Sequence, residues 1–164
     1  MAKNLISDTV FVVTAFVILA GCSKPAETTA AVDEKPAATM AKPVLPRTAA
    51  PENGAVFFVS PKDGDTVTSP VTIKFGASNV AVVAAGNDAP MSGHHHLIID
   101  APLPDLTQPI PKNDQYRHFG GGQTETTIEL APGNYTLQML MGDHFHIPHE
   151  PAITSDTITI TVTE

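Results

Sequence analysis

The chain of 164 residues has one cysteine and no tryptophan, and only 16% of it is charged. A single cysteine excludes an internal disulfide and any zinc site built on paired thiolates. Basic residues are scarce, 9 Lys and Arg against 17 Asp and Glu. The resulting net charge of −8 argues against a nucleic-acid partner, which requires a basic surface to neutralise phosphate. Long apolar runs are also missing: Val10 to Ala20 is too short for the roughly 20 residues that span a bilayer. No HExxH, no GxSxG and no phosphate-binding glycine loop occurs, and Asp63-Gly64-Asp65 is too short for an EF-hand loop, so an enzyme is not expected. What stands out instead is histidine, with 7 in the chain, all between residues 94 and 149.

The chain divides into three parts. Residues 1–21 read as an export signal: Lys3 gives a weak positive start, Val10 to Ala20 the apolar stretch, and Leu19-Ala20-Gly21-Cys22 closes it. That last motif resembles the bacterial lipobox, which implies a lipid on Cys22 as the mature N-terminus. By the same resemblance, Ser23 in place of Asp implies an outer-membrane lipoprotein facing the periplasm. Residues 22–53 are rich in Ala, Pro and Thr without apolar periodicity, the composition of a disordered tether. Residues 54–164 form the folded domain and hold 4 basic and 12 acidic residues, so the whole net charge belongs to them.

Short alternating stretches separated by turn signals make that domain all-β. Tyr135, Leu137, Met139 and Met141 alternate with polar neighbours and follow the turn Pro132-Gly133; Val71, Ile73 and Phe75 alternate in the same way. The stretch Leu130 to Tyr135 resembles the corner before strand F of immunoglobulin-like domains. An immunoglobulin-like β-sandwich of about seven strands is therefore expected: A at 55–59, B at 70–76, C at 94–100, E at 124–130, F at 134–142, G at 153–163, and D within 101–118.

That topology carries the histidines to one end. His94 and His96 open strand C, His144, His146 and His149 lie in the F–G connection, and His118 precedes strand E. Residues two apart in an extended chain face the same side, so His94/His96 and His144/His146 form two pairs, while His95 faces away. Neutral imidazoles suit copper or zinc better than magnesium or calcium. The expected metal ligands are His94, His96, His118, His144, His146 and His149, with Asp143, Asp100 and Glu150 fixing ring orientation and Gly120 to Gly122 giving room. Met91 is a possible soft ligand for reduced copper; Met139 and Met141 belong to the core. A hydrogen-bonded polar cluster and a proton sensor are the competing readings.

The segments Ser92-Gly93-His94-His95-His96-Leu97-Ile98-Ile99-Asp100, His118-Phe119-Gly120-Gly121-Gly122-Gln123 and Pro132 to His149 together resemble an uncharacterised bacterial exported-protein family, domain of unknown function 4399. The resemblance covers residues 54–164 and implies no reaction, substrate or catalytic residue. The expectation is a membrane-anchored periplasmic lipoprotein that buffers or delivers copper or zinc, held to the membrane by the lipid on Cys22 and exchanging with a periplasmic metal donor or acceptor. The alternative is a non-catalytic envelope module that recognises a glycan, peptide or protein through Tyr116, Phe119 or Phe145. A metal-dependent hydrolase, with Glu125 or Glu150 as base, is the least favoured.

Overall fold

The computed structural model describes residues 43–164, and the expected signal, Cys22 and residues 23–42 lie outside the described residues. Among the described residues there is no helix and there are nine strands: β1 (Ala55–Ser60), β2 (Thr66–Thr68), β3 (Val71–Ser78), β4 (Ala81–Val82), β5 (Ser92–Ile99), β6 (Tyr116–His118), β7 (Glu125–Ile128), β8 (Gly133–Gly142) and β9 (Ile158–Thr163). They form two sheets. One has the order β1-β3-β7; the other runs β2-β9-β8-β5-β4, with β6 pairing the same β5.

Period-two alternation builds the sandwich between them. Val56 and Phe58 of β1 and Val71, Ile73 and Phe75 of β3 face inward. They meet Leu97 and Ile99 of β5, Leu137, Met139 and Met141 of β8, and Ile160 and Val162 of β9 in one buried cluster. Met139 and Met141 are thus core, as their alternation requires. Full burial of side chains of this size contributes ~1.5–3 kcal/mol each, which makes this interface the main stabilising element. Tyr135 at the start of β8 donates its phenol to the Ala131 carbonyl at 3.0 Å, tying the preceding turn to the strand.

The expected strands A, B, C, E and F coincide closely with β1, β3, β5, β7 and β8, and C and F are neighbours: β5 pairs β8 from His94↔Gly142 to Ile99↔Leu137. Three short strands add to these. β2 lies parallel to β9, and β4 lies parallel to β5. The strand within 101–118 is β6, and it joins β5 rather than the β1-β3-β7 sheet, where a strand D would sit. The last strand is shorter than expected, because Ile153 to Thr157 forms no ladder with β8 beyond the bridge Leu140↔Thr154, and Ser155 meets β8 through its hydroxyl at Met139 N and its carbonyl at the Gln138 side chain.

Two further features shape the site. The outer face of β5 and β8 is covered, not exposed: Ile98 and Leu140 pack with Ile110, joined by Leu106, Tyr116 and Ala152 from the flanking loops. β5 is therefore buried on both faces along its length. Residues 43–53, expected as the end of the tether, are also part of the domain. Arg47 pairs with Glu150 and donates to the Pro148 and His149 carbonyls, and Thr48 donates to Asp143. Backbone bonds between Ala50 and Glu150 and between Glu150 and Thr48 extend the same seam. A run without apolar periodicity is ordered here because the β8–β9 loop presents carbonyls and carboxylates that need donors.

Candidate metal centre

The site forms on the outer face of β5. His94 and His96 point outward together, and the β-ladder sets His96 directly opposite His118 of β6. His146 reaches them from the β8–β9 loop. Ring centroids are 4.8 Å apart for His94 and His96, 5.0 Å for His94 and His118, and 5.1 Å for His96 and His118. His146 lies 4.6 Å from His118, 4.9 Å from His94 and 6.2 Å from His96. One ring nitrogen from each of His94, His96 and His118 falls within 4.8 Å of the others. Tetrahedral ligands at metal–nitrogen distances of 2.0–2.1 Å would stand roughly 3.3 Å apart, so small ring movements close the set on an ion.

The chemistry of these nitrogens fits a cation. Both ring nitrogens of His94, Nδ1 of His96 and Nε2 of His118 are buried without a hydrogen-bond partner. Such groups ordinarily find one, and each left bare costs about 1–3 kcal/mol. Burial lowers the His94 pKa to about 4, helped by the neighbouring His146 and His118 and opposed by Asp143. Burial, then His94 and His118, pushes His96 lower still, and His118 falls by burial and then by His146. At neutral pH these imidazoles are uncharged, with lone pairs free for a metal.

Glycines make the space. A Cβ at Gly142 would stand 2.7 Å from Cε1 of His96, and one at Gly120 would stand 2.3 Å from Cε1 of His118. Gly120 is one of the glycines expected to give room. Gly142 was not, since a glycine ending a regular strand carries no pattern of its own.

The remaining sequence-selected residues have other places. His144 does not join the cluster: its Nδ1 lies 3.3 Å from Asp88 and its ring centroid lies 4.0 Å from that of Phe145, the two rings tilted by 44°. His149, fully buried, donates from Nε2 to the Ser92 carbonyl at 3.1 Å and pins the loop to the start of β5. The expected pairing of His144 with His146 fails because residues 143–147 are a turn and not a strand. Asp143 Oδ1 accepts from the amides of Phe145 and Ile147, each at 2.9 Å, and His146 takes φ 67°, so the two rings diverge. Asp-x-x-x followed by Ile-Pro is a turn signal that the sequence did carry.

None of the three expected orienting carboxylates reaches a ring nitrogen of the cluster. Asp143 is spent on its turn and Thr48, Asp100 accepts from Thr136 at the far end of β5, and Glu150 pairs with Arg47. Met91 is exposed at the loop before β5. His95 faces away from the pair as expected, and the core is where it turns, its ring 5.3 Å from Phe75, with both nitrogens unpartnered.

These buried neutral imidazoles make a pH prediction. The pKa values of His94 and His95 fall to about 4 in the folded chain from an ordinary 6.5. Between those values the unfolded chain binds more protons, so stability falls as pH drops through this window and levels off below it. Urea melts of metal-stripped protein at pH 7 and pH 5 should differ by on the order of 2 kcal/mol for each such histidine. Equal midpoints would mean that these rings are solvated.

Residues 73–163 match the family model described as "Domain of unknown function (DUF4399)", and the chain belongs to that family. The matched span runs from β3 to β9 and contains every residue of the cluster. No curated protein and no solved structure matches the chain.

Proposed function

We propose that this protein binds one transition-metal ion, copper or zinc, through His94, His96, His118 and His146, and buffers or delivers it in the cell envelope. One observation carries the reading: four imidazoles from three separate segments converge, and buried nitrogens of His94, His96 and His118 lack protein partners, which one shared cation would satisfy together. A set of nitrogen ligands without thiolate or carboxylate favours copper and zinc over harder ions. The lipobox-like end of the signal supports an anchor on Cys22 and an outer-membrane position facing the periplasm, with a periplasmic metal donor or acceptor as partner. No catalytic step is assigned to the site.

Protein purified from its native envelope is expected to contain about one copper or zinc per chain, in line with a single site of this ligand set. His146→Ala should lower retention through dialysis, whereas His144→Ala should leave it unchanged. A metal-free wild type, or equal losses in both variants, would overturn the assignment.

An interaction module remains the second reading because Phe145 is 65% exposed at the rim of a cavity of about 350 Å³ walled by Leu45, Pro46, Pro109 and Ile147. Of the other aromatics considered for it, Phe119 is buried and the Tyr116 hydroxyl is bonded to the Pro102 carbonyl. Binding of cell-wall fragments by metal-stripped protein, lost in Phe145→Ala, would favour this reading.

A further inference from the structure

The cluster is not sealed. A cavity of about 320 Å³ opens over it, lined by His96, His118 and His146 together with Pro109, Ile110 and Lys112. His94 is fully buried and does not line the cavity. A volume of this size admits a small molecule of several atoms beside a bound ion.

The charges around the cavity are one-sided. Of the four basic residues in 54–164, Lys62 donates to the Phe58 carbonyl, Lys74 faces Glu125, and Arg117 pairs with Asp114. Lys112 has no hydrogen bond or ion pair among the described residues, in a domain where acidic side chains outnumber basic ones. Lys112 lines the same cavity as His96, His118 and His146. No lining residue carries a negative charge. An ion held by neutral imidazoles keeps its full positive charge, so it and the exposed Lys112 ammonium in the same cavity lining repel each other unless an anion sits near both.

We propose that the metal centre takes a small exchangeable anion, of carboxylate or comparable size, as an added ligand in this cavity, with the Lys112 ammonium as its counter-charge. The inference rests on the metal-binding reading above and deepens it. It gives the ion a route in and out, because a carboxylate or other anionic donor can reach the metal from the Lys112 side while the imidazoles still hold it.

Azide is a suitable probe. Full-length protein in detergent, loaded with copper(II), is titrated with azide, and the azide-to-copper charge-transfer band is followed per bound copper. Copper(II) is chosen because it outcompetes other divalent first-row ions at nitrogen sites. The wild type should saturate, formate should displace the azide, and Lys112→Ala should weaken azide by about tenfold, the loss of one charge-assisted contact. Lys112→Arg should recover most of that loss. Absence of a saturable band, or equal azide affinity in wild type and Lys112→Ala, would overturn the anion site while leaving copper retention intact. Failure of the wild type to retain copper would overturn both readings, and it is seen before azide is added.

Discussion

His96→Ala combined with His118→Ala is expected to abolish metal retention: after dialysis the full-length protein should go from about one ion per chain to background. The two residues are cross-strand partners, and both present buried nitrogens without another use. Removing them leaves His94 and His146, two ligands on one side of the site. Loss of an outer partner alone commonly costs ~10–100-fold in metal affinity, so loss of two direct ligands exceeds that. A second readout follows from linkage. At a free-metal concentration 100 times Kd, binding adds about 2.7 kcal/mol to the wild type, which raises its melting temperature by roughly 10 °C. The double variant should show no such rise. An equal shift in both proteins would place the bound metal elsewhere.

Gly142→Ala is expected to weaken metal binding by about tenfold or more although Gly142 supplies no ligand itself. The added methyl would stand 2.7 Å from Cε1 and 3.2 Å from Nδ1 of His96, and 3.2 Å from Ile110. Gly142 does not have the left-handed backbone that favours glycine, so alanine meets no conformational penalty and the effect is steric. Neither neighbour yields easily: His96 is 1% exposed between β8 and β6, and Ile110 is buried in the outer cluster. Overpacking of this kind costs typically about 1–3 kcal/mol, so the variant should fold with a lowered melting temperature and a displaced His96 ring. Competition titration against a chelator of known affinity measures the effect, and unchanged affinity would show that the ring has another place to go.

The larger strands were legible because each has its own alternation of apolar and polar residues: Val71, Ile73 and Phe75 in β3, and Leu137, Met139 and Met141 in β8. The short strands β2, β4 and β6 were not. Two or three residues contain too little period to detect, and their pairing is decided by which edge lies beside them. The site divides along the same line. The pairing of His94 with His96, and the turn of His95 away from them, followed from extended geometry, and β5 is extended. His144 and His146 were read by the same rule, which fails wherever a side chain such as Asp143 bends the backbone into a turn. Lys112 and the Arg47–Thr48 seam had no local signal, since each matters only through residues distant in the chain.

The three consecutive histidines of β5 also bear on how that strand finds its partners. A shift by one residue against β8 would turn His95 outward and drive His94 and His96 against Phe75. A run of identical side chains partly hides such an error from hydrophobicity, because an imidazole still fills two of the three positions after the shift. The distinction lies in number: the native alignment sends two rings to the outer face, and the shifted one sends a single ring. A cation that needs both would hold the strand to its correct alignment, so the ion would act as a proofreader of assembly as well as a cargo.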